Sequence, residues 1–499
     1  MIKLLIILLL FIAQSAGAQL ATGSGTIGDP FQIWYLEDLA NTSTSTGASY
    51  SLERDLDFLA SDSYASGVVN TDWTTGGGWS NYSSFSGTLD GKGHSISNLM
   101  TKGDDDSKRG LFRFIASTAS VTRLIFINPS IDATHDGSGR QQVGVLVGDA
   151  GAGHIEDVHV IGGSVKGALY VGGIAGKMGA GASIVNCTVS GASIEGLQFA
   201  GGIVGFIYPS SNALVSSCTA DVAILSNSHA GGIAGALRSS TVGTIYSLRG
   251  AILNSAASVT IDILAPAGYY DNGVAGVVGS IWGSAEIYQC SAVVDITATF
   301  DNVGGVVGNV YNTGSAKATI DQCFVTGEIK DGWYAGGFIG RIRGSGSTEV
   351  ADSYSQVEIY TSFDYAGGFA QSTASTVTFS RCYSTGIASA TVYAGGFSAT
   401  GTATETVQFC YWDTESSGLA TSAVVLADVI EGKTTAEMYQ QATFTGWDFA
   451  SIWSIEEGTD YPRLQWALPE PGPEPPSIKF GIGTLKFSTN GTLKFGGVE

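Results

Sequence analysis

A five-residue unit, Gly-Gly-apolar-X-Gly, recurs along the middle of this 499-residue chain at a nearly constant interval. The successive intervals are 28, 29, 30, 44, 29, 32, 31 and 28 residues. They separate the aligned positions Gly144, Gly172, Gly201, Gly231, Ala275, Gly304, Gly336, Gly367 and Gly395. A fixed period of this length indicates a solenoid, in which each repeat contacts only its neighbours.

Short β-branched runs, such as residues 183–189, separate the glycine units and read as strands. The repeats contain no helical pattern. We therefore predict an all-β fold, a single-stranded parallel β-helix with coils of about 29 residues. Its coils would stack about 4.8 Å apart, with a cap at each end and a short β tail. Glycine suits such corners because it accepts positive φ and close backbone approach.

The composition excludes several other classes of protein. Apolar residues make up 44% of the chain, which is too many for a disordered segment. Only 10 prolines accompany the 70 glycines, which excludes a collagen-like chain. Acidic residues outnumber basic ones 44 to 23, giving a net charge of −21. This charge argues against nucleic acid as a partner.

The first 18 residues resemble a secretory signal peptide. Lys3 precedes an apolar run from residue 4 to residue 13, and Ala16-Gly17-Ala18 supplies small residues for cleavage. We expect the mature chain to begin at Gln19 and to be exported to the cell surface or the medium. No later stretch of 18 apolar residues exists, so we expect no transmembrane segment.

The six cysteines fall near one slot of the repeat, 15 to 19 residues after the motif position. They are Cys187, Cys218, Cys290, Cys323, Cys382 and Cys410. Val158 and Ser353 fill the slot in other coils. We predict a ladder of buried, reduced thiols. Disulfides between adjacent coils, pairing 187 with 218, 290 with 323 and 382 with 410, are the alternative.

The ends of the chain differ from its middle. Residues 28–33 suggest a strand and residues 36–39 a short helix, while residues 433–438 begin a helix that Thr434 or Thr435 would cap. We expect Trp447, Trp453 and Trp466 to close the open end of the core. The predicted divisions are 1–18 signal peptide, 19–100 N-terminal cap and first coils, 101–420 repeats, 421–468 C-terminal cap, 469–476 proline-rich linker and 477–499 hairpin tail.

These features together resemble GLUG-repeat proteins. The resemblance rests on the Gly-Gly-apolar-X-Gly units, on residues 25–33 and 85–94, and on residues 411–415 and Trp447-Asp-Phe449 with Tyr461-Pro462. It covers roughly residues 25–466. Such repeats occur in exported bacterial surface proteins, adhesin-like proteins and non-catalytic parts of IgA-cleaving metallopeptidases. The resemblance implies a β-helical surface or adhesion module. The 44-residue interval and the tail depart from the pattern.

Candidate metal sites are weak. The chain has no His-Glu-X-X-His motif, and His154, Glu156 and His159 do not share one strand face. A solvated strand and turn is the better interpretation. Asp104, Asp105 and Asp106 are a weak Ca²⁺ candidate, since they lack the alternating ligand pattern, and a solvated acidic loop is favoured. We expect no cofactor.

Parallel β-helices also carry polysaccharide hydrolases and lyases, which need two carboxylates across the scissile bond. Asp90 and Asp132 are available, but no cluster of acids distinguishes them. Residues 90–94 fit a glycine-rich corner better. We therefore expect no catalytic activity.

An aromatic row lies two residues before the motif positions. Its members are Tyr170, Phe199, His229, Tyr334, Tyr365 and Tyr393, with Gly273 and Asn302 between them. On stacked coils these side chains would form a ladder. Facing outward, the row would bind sugar rings or a protein. If the row faces inward or is half-buried, its side chains would pack in the core as ordinary stacked residues. We favour this second interpretation. The adjacent glycine pair hides the alternation that would decide between them.

The interval from Gly231 to Ala275 exceeds the period by about 15 residues and contains Arg249, Pro266 and Tyr269-Tyr270. Insertions of this kind in solenoids become side loops and often bind ligands. A packed excursion without a binding role is the favoured alternative.

The tail repeats Gly-Thr-Leu-Lys-Phe at residues 483–487 and 491–495. Leu485, Phe487, Leu493 and Phe495 would lie in two strands joined through residues 489–491. A lone hairpin is marginal in water, so we expect it to dock, for example on a neighbouring subunit.

Our leading prediction is a non-catalytic, surface-exposed adhesion or scaffold protein. Its partner would be a host or neighbouring cell-surface protein or glycan. A carbohydrate-binding or carbohydrate-active β-helix is the first alternative. A filament subunit that self-associates through residues 477–499 is the second.

Overall fold

The computed structural model describes most of the chain. The described residues are 22–79, 84–102, 108–133, 141–208, 213–238, 250–253, 256–263, 272–298, 302–372, 376–400, 405–422, 430–468, 478–480, 483–487 and 493–495. They form a parallel β-solenoid of about nine turns, which confirms the predicted all-β fold. The signal peptide, Asp104–Asp106, Arg249, Pro266, Tyr269-Tyr270 and the proline-rich linker lie outside the described residues.

Three parallel sheets run the length of the solenoid, and we call them sheets A, B and C. Sheet A contains Phe31–Ile33, Ser49–Leu52, Leu56–Asp57, Thr88–Asp90, Ser95–Ser97, Met100–Lys102, Ser120–Ile127, Ser130–Asp132, His154–Ile161, Ser164–Gly167, Ser183–Val185, Thr188–Gly196, Ala213–Ser216, Thr219–Ser226, Gly250–Leu253, Ala256–Ile263, Ala285–Tyr288, Ser291–Ala298, Lys317–Asp321, Phe324–Lys330, Ser347–Tyr360, Thr376–Ser384, Ala388–Ser389, Glu405–Gln408, Cys410–Asp413 and Ile430–Lys433.

Sheets B and C are made of shorter strands. Sheet B contains Lys108–Arg109, Gln142–Val143, Tyr170–Gly172, Phe199–Gly201, His229–Gly231, Gly273–Ala275, Asn302–Gly304, Tyr334–Gly336, Tyr365–Gly367 and Tyr393–Gly395. Sheet C contains Ser84–Phe85, Phe112–Ile115, Val147–Asp149, Ala175–Met178, Val204–Ile207, Ala234–Arg238, Val278–Trp282, Val307–Asn312, Ile339–Gly344 and Ala370–Ser372.

Each coil passes through the sheets in a fixed order. The coil that begins at residue 183 gives two segments to sheet A, 183–185 and 188–196, then one strand to sheet B and one to sheet C. Neighbouring coils pair in register, for example Tyr170 with Phe199 and Val171 with Ala200. Inward residues of all three sheets, mostly Val, Ile and Ala, form one continuous core.

The corner inside sheet A is left-handed, and non-glycine residues occupy it. Asn186 and Ser217 have φ of 52° and 54° there, and Gln289 and Gln322 both have φ of 51°. Left-handed backbone is unfavourable for residues with a Cβ. Part of that cost is offset between coils, because the Gln289 Nε2 donates to the Gln322 Oε1 at 3.0 Å.

We expected glycine at the corners both for positive φ and for close backbone approach, and the motif glycines meet only the second of these needs. Positive φ is absent at these described glycines, which are 172, 201, 231, 304, 336, 367 and 395. Instead, sheets B and C approach each other closely there. A Cβ on Gly201 would overlap the carbonyl oxygen of Val204 and lie 2.7 Å from the amide nitrogen of Gly235. Close backbone approach, and not a left-handed turn, therefore requires glycine at these positions.

The six cysteines are free and fully buried inside the left-handed corner. Ser353 pairs with Cys382 in the same ladder. Burial raises the pKa of the Cys187, Cys323 and Cys382 thiols well above the ordinary value. Such thiols are poor nucleophiles and act as small apolar groups.

Short helices lie outside the coils. They are the α-helices Leu36–Ala40, Thr71–Thr74 and Thr435–Met438, and the 3₁₀ helices Asn41–Ser43, Ser61–Ser63, Gln441–Thr443 and Gln465–Ala467. Thr434 caps the helix at 435–438 and shares a capping box with Glu437. The capping pattern in the sequence is therefore present in the structure.

Trp447, Trp453 and Trp466 do not close the core, contrary to our expectation. They pack on the outer side of sheet A, where Phe324, Tyr354, Tyr383 and Tyr411 stack on successive coils. This group forms a second hydrophobic cluster, separate from the solenoid core. The Trp453 Nε1 donates to the Asp352 carboxylate at 3.0 Å, and the Trp466 Nε1 donates to the Gln322 carbonyl at 3.0 Å.

Two small antiparallel sheets complete the described structure. Trp453–Ser454 pairs with Arg463–Leu464 beside the second cluster. In the tail, Ile478–Phe480, Gly483–Phe487 and Leu493–Phe495 form a three-stranded meander, with Leu485 opposite Phe495 and Phe487 opposite Leu493. The turn residues 489–491 lie outside the described residues.

Candidate functional site

The aromatic row occupies one column of sheet B, which we call the outer row. Parallel pairing places Tyr170 beside Phe199, Phe199 beside His229, and Tyr334 beside Tyr365 and then Tyr393. Val171 and Ala200, one residue further along their strands, point into the core. The outer row therefore lies outside the core, where most of its members are half-buried against sheet C.

The tyrosines of the outer row stack face to face. The Tyr334 and Tyr365 ring centroids are 5.5 Å apart at 16°, and those of Tyr365 and Tyr393 are 5.5 Å apart at 10°. Stacked rings cover each other's faces and leave their edges outward. Only Tyr393, at the end of the stack, is more than half exposed, at 54%. The inner tyrosines thus offer ring edges to a ligand, while Tyr393 offers more of its surface.

A second column, on sheet C, faces the outer row across a narrow gap. It lies five residues after each motif position and includes Lys177, Phe206, Ser280 and Arg341. Tyr170 stacks on Phe206 at 4.6 Å, and the Arg341 guanidinium lies 4.3 Å from the centre of the Tyr334 ring. Desolvation raises the pKa of Tyr170.

The middle of the gap is polar. His229, which is 7% exposed, hydrogen-bonds through Nδ1 to the Ser280 Oγ at 2.7 Å. The Gly273 N–H also donates to that Nδ1, at 3.1 Å, and the Asn302 side chain donates to the Asn272 carbonyl at 2.7 Å. Because Nδ1 accepts from the Gly273 amide, the His229 proton belongs on Nε2 in this tautomer.

Sequence reasoning missed a third column, seven residues after the motif positions. On five consecutive coils it reads Tyr208, Arg238, Trp282, Tyr311 and Arg343. Tyr208 directly follows its sheet C strand, and the other four lie within theirs. We call it the arginine–aromatic column. Tyr208 and Tyr311 are 39% and 40% exposed. The constant offset of seven residues was a signal that could have revealed it.

The other predicted sites are separated in the structure. His154 hydrogen-bonds to Ser183 and Glu156, whereas His159 hydrogen-bonds to Thr188 and Asp157. Among the described residues, no group of three His, Cys, Asp or Glu side chains is arranged to hold a metal ion.

The two acids considered for glycoside hydrolysis lie on different segments of the coil. Asp90 forms an ion pair with Arg123 and aligns with Thr122 on the next coil. Asp132 aligns with Lys102 in the neighbouring segment. The structure therefore does not bring these two carboxylates together.

The three parallel sheets and their stacked coils define the chain as a parallel β-solenoid. The family model described as the GLUG motif matches residues 167–195, which contain Tyr170 and the first complete Gly-Gly-apolar-X-Gly unit. The predicted resemblance is confirmed for this coil.

One curated relative is Halomucin from Haloquadratum walsbyi (strain DSM 16790 / HBSQ001). It is 31% identical over 166 residues, which are 32% of this chain and 2% of that protein. The chain thus spans a very small part of the relative it matches.

A solved structure from Bacteroides ovatus, of a candidate immunoglobulin A1 protease, is 20% identical. The match covers 55% of this chain and 79% of that chain with a TM-score of 0.38, which marks a loose likeness.

Within the described part of the chain, no helix is long and apolar enough to cross a membrane.

Proposed function

We propose that this protein is a surface-displayed or secreted β-solenoid that acts in adhesion or as a scaffold, without catalysis. The observation that carries the proposal is the flank formed by sheets B and C. Aromatic and cationic side chains lie outside the core there on successive coils, from Tyr170 to Tyr393. Partly exposed tyrosine, tryptophan and arginine side chains are typical of binding surfaces.

The match to a protein named Halomucin, although short, supports an extracellular role. A rigid solenoid suits such a role because stacked coils hold a binding flank at a fixed geometry. The ion pair of Asp90 with Arg123, and the separation of Asp90 from Asp132, favour binding over glycoside hydrolysis. The partner is a protein or glycan on a host or neighbouring cell.

Binding of the mature protein to cells and to a glycan array tests this function. The triple variant Tyr334→Ser, Tyr365→Ser, Tyr393→Ser should bind weakly, while the control Tyr360→Ser, on the exposed face of sheet A, should bind as the wild type does. Melting temperatures of all forms separate lost binding from lost folding. New reducing ends released from a bound glycan, or no binding at all, would contradict the proposal.

A second candidate function is self-association through residues 477–499. It is favoured by the three-stranded meander, because a small sheet with two free edges is marginal alone and is stabilised by pairing with another chain. In a filament of this kind, Leu485, Phe487, Leu493 and Phe495 would mediate assembly. Size-exclusion chromatography of the mature chain, with and without residues 469–499, tests it. Equal elution of the two forms, at high concentration, would eliminate this candidate.

A further inference from the structure

Between Tyr170 and Gly344, the strands of sheets B and C carry charges of a single sign. The charged side chains there are Lys177, Arg238, Arg341 and Arg343, and none is acidic. Lys177, at the start of this range, forms an ion pair with Asp149 on the preceding coil, so the positive strip rests on the three arginines. The whole chain has a net charge of −21, so this positive strip is contrary to the overall composition. A local positive strip on an acidic protein selects an anionic ligand.

Three of these four cations are arginines, and two of them belong to the arginine–aromatic column. Arg238 and Arg343 are separated by Trp282 and Tyr311, so they are three coils apart, or about 14 Å at the usual strand spacing. Guanidinium groups bind carboxylates through paired hydrogen bonds, which lysine cannot reproduce.

Two aromatic members of the column, Trp282 and Tyr311, lie between the arginines. The Trp282 centroid is 4.8 Å from His229 and 5.9 Å from Phe199, while those two rings stack on each other at 4.8 Å. The three distances place the indole beside the stack, not on top of it, and its plane is 79° from theirs. Trp282 is therefore supported from behind and half-buried, as a ring that contacts a ligand should be.

Tyr311 continues the pattern toward the next arginine. It is 40% exposed, and the Arg343 guanidinium lies 4.9 Å from its ring centre. This cation–π contact holds the guanidinium against the ring. The part of the column from Arg238 to Arg343 thus presents an arginine at each end and two partly exposed rings between them, in a line parallel to the solenoid axis.

We propose that the arginine–aromatic column binds a linear polysaccharide that carries carboxylate groups, a uronic-acid polymer. The polymer runs parallel to the solenoid axis, with sugar rings against Trp282 and Tyr311 and carboxylates on Arg238 and Arg343. A repeating ligand matches a column in which equivalent positions recur at every coil. The proposal gives a ligand class to the binding role proposed above and rests on that role only for its biological setting.

The test measures binding of purified mature protein to galacturonate oligomers, with three comparison ligands. These are the same oligomers with methyl-esterified carboxyls, dextran sulfate, and poly-glutamate. We expect binding to the galacturonate oligomers alone, and weaker binding as salt is raised. Tight binding of the methyl ester would overturn the role of the carboxylate. Preference for dextran sulfate would mean that the column recognises sulfate groups, and preference for poly-glutamate would mean that the ligand is an acidic protein. Either result would overturn the assignment of a uronic-acid polymer.

Single variants locate the site. Arg238→Gln and Arg343→Gln should each weaken galacturonate binding about tenfold, since each removes a charge-assisted hydrogen bond. Tyr311→Ser should weaken it less. The matched control is Arg54→Gln, because Arg54 lies 6.0 Å from the Tyr35 ring in the N-terminal cap, far along the chain from the column. Unchanged affinity in both arginine variants would overturn the proposal.

Cell display is measured separately, by antibody labelling of intact cells. Loss of display with galacturonate binding intact would contradict the proposed function and leave the ligand assignment standing. Normal display without galacturonate binding would contradict the ligand assignment and leave the proposed function standing. Melting temperatures of the variants guard against misfolding.

Discussion

The same coils have two flanks of opposite chemistry. The strands of sheets B and C between Tyr170 and Gly344 carry four cations and no acid, as described above. The strands of sheet A in that part of the chain carry seven acids and two lysines. They are Glu195, Asp221, Asp262, Glu286, Asp295, Asp321, Glu328, Lys317 and Lys330.

The backbone of the two flanks also differs. Sheets B and C meet so closely that glycine is required, whereas the corner of sheet A accepts left-handed Asn, Ser and Gln. The charge and backbone conformation of one column of a solenoid are therefore independent of those of another column. The reason is that each residue contacts the equivalent residues of its own column on the neighbouring coils. One repeat can therefore hold a ligand-binding column on one flank and a solubilising surface on the other.

The largest expected effect tests the close contact of sheets B and C. Gly201→Ala would place a Cβ against the carbonyl oxygen of Val204 and the amide of Gly235, neither of which can move without breaking coil pairing. We expect a loss of more than about 3 kcal/mol in the free energy of unfolding, measured by urea denaturation. The control Gly28→Ala, where no atom lies within 4 Å, should change little. Equal stability of the two variants would refute close approach as the reason for glycine.

The next effect concerns charge on the sheet A flank. Arg381 donates to Asp352 through Nε at 2.8 Å and through a terminal nitrogen at 2.6 Å, and Asp352 is 3% exposed. Arg381→Ala would leave that carboxylate buried with only the Trp453 indole N–H. We expect a loss of about 2 kcal/mol in the free energy of unfolding, since breaking a buried pair leaves an uncompensated charge.

Arg343→Gln is the matched variant on the other flank. The stability of this variant should stay close to that of the wild type, because Arg343 is half-buried and the Tyr311 ring that it contacts is 40% exposed, whereas Arg381 pairs with a buried carboxylate. A larger loss of stability from Arg343→Gln than from Arg381→Ala would reverse the distinction between structural and ligand-binding charges.

The architecture was predictable from the sequence because one contact repeats on every coil. The glycines at 172, 201 and 231 are fixed by backbone approach, so their spacing reports the length of a coil. The capped helix at 435–438 was predictable because its signal is local. The left-handed corner could not be predicted from the sequence, because its residues, such as Asn186, Ser217 and Gln289, are of different types.

The candidate site was only partly predictable. The outer row could be found by its constant offset, but the glycine pair after it hides which side of the strand it faces. The placement of the tryptophans was beyond sequence reasoning, because Trp453 meets Asp352 across 101 residues. The arginine–aromatic column was present at a constant offset but mixes Tyr, Arg and Trp, so no single residue type marked it.

The stability of the sheet A flank should also depend on pH, because the pKa of Asp321 in that sheet is shifted. Burial, and then the nearby Asp352 charge, raise the pKa of Asp321 to about 6 from an ordinary 3.8, while Arg381 lowers it and Glu286 raises it further. The folded state therefore binds this proton more tightly than the unfolded state. The contribution of Asp321 to the free energy of unfolding should therefore increase as the pH falls from about 6 toward 4. This stabilising contribution is lost as the pH rises through about 6.

Asp321→Asn tests this sign. The difference between the two pKa values sets an upper bound of roughly 3 kcal/mol, and partial exposure reduces the expected gain at pH 7.5 to about 1 kcal/mol. Denaturation of variant and wild type at pH 7.5 and pH 4.5 measures it. The gain should shrink at pH 4.5, where Asp321 is protonated in the wild type. A gain that does not depend on pH would exclude titration of Asp321 as its cause.

The smallest effect tests the left-handed corner. Ser217 has φ of 54°, a conformation that costs a residue with a Cβ roughly 1 kcal/mol, whereas glycine adopts it freely. Glycine also loses more backbone entropy on folding, by about 0.5 kcal/mol or more, so Ser217→Gly should gain only about 0.5 kcal/mol in stability. Thr219→Gly, two residues away in an exposed strand position, should instead lose about 1 kcal/mol. If both variants lose stability equally, left-handed strain is absent from this corner. Opposite signs, measured as urea midpoints, would mean that glycine stabilises the sheet A corner by its backbone freedom, whereas at Gly201 it is required for its missing side chain.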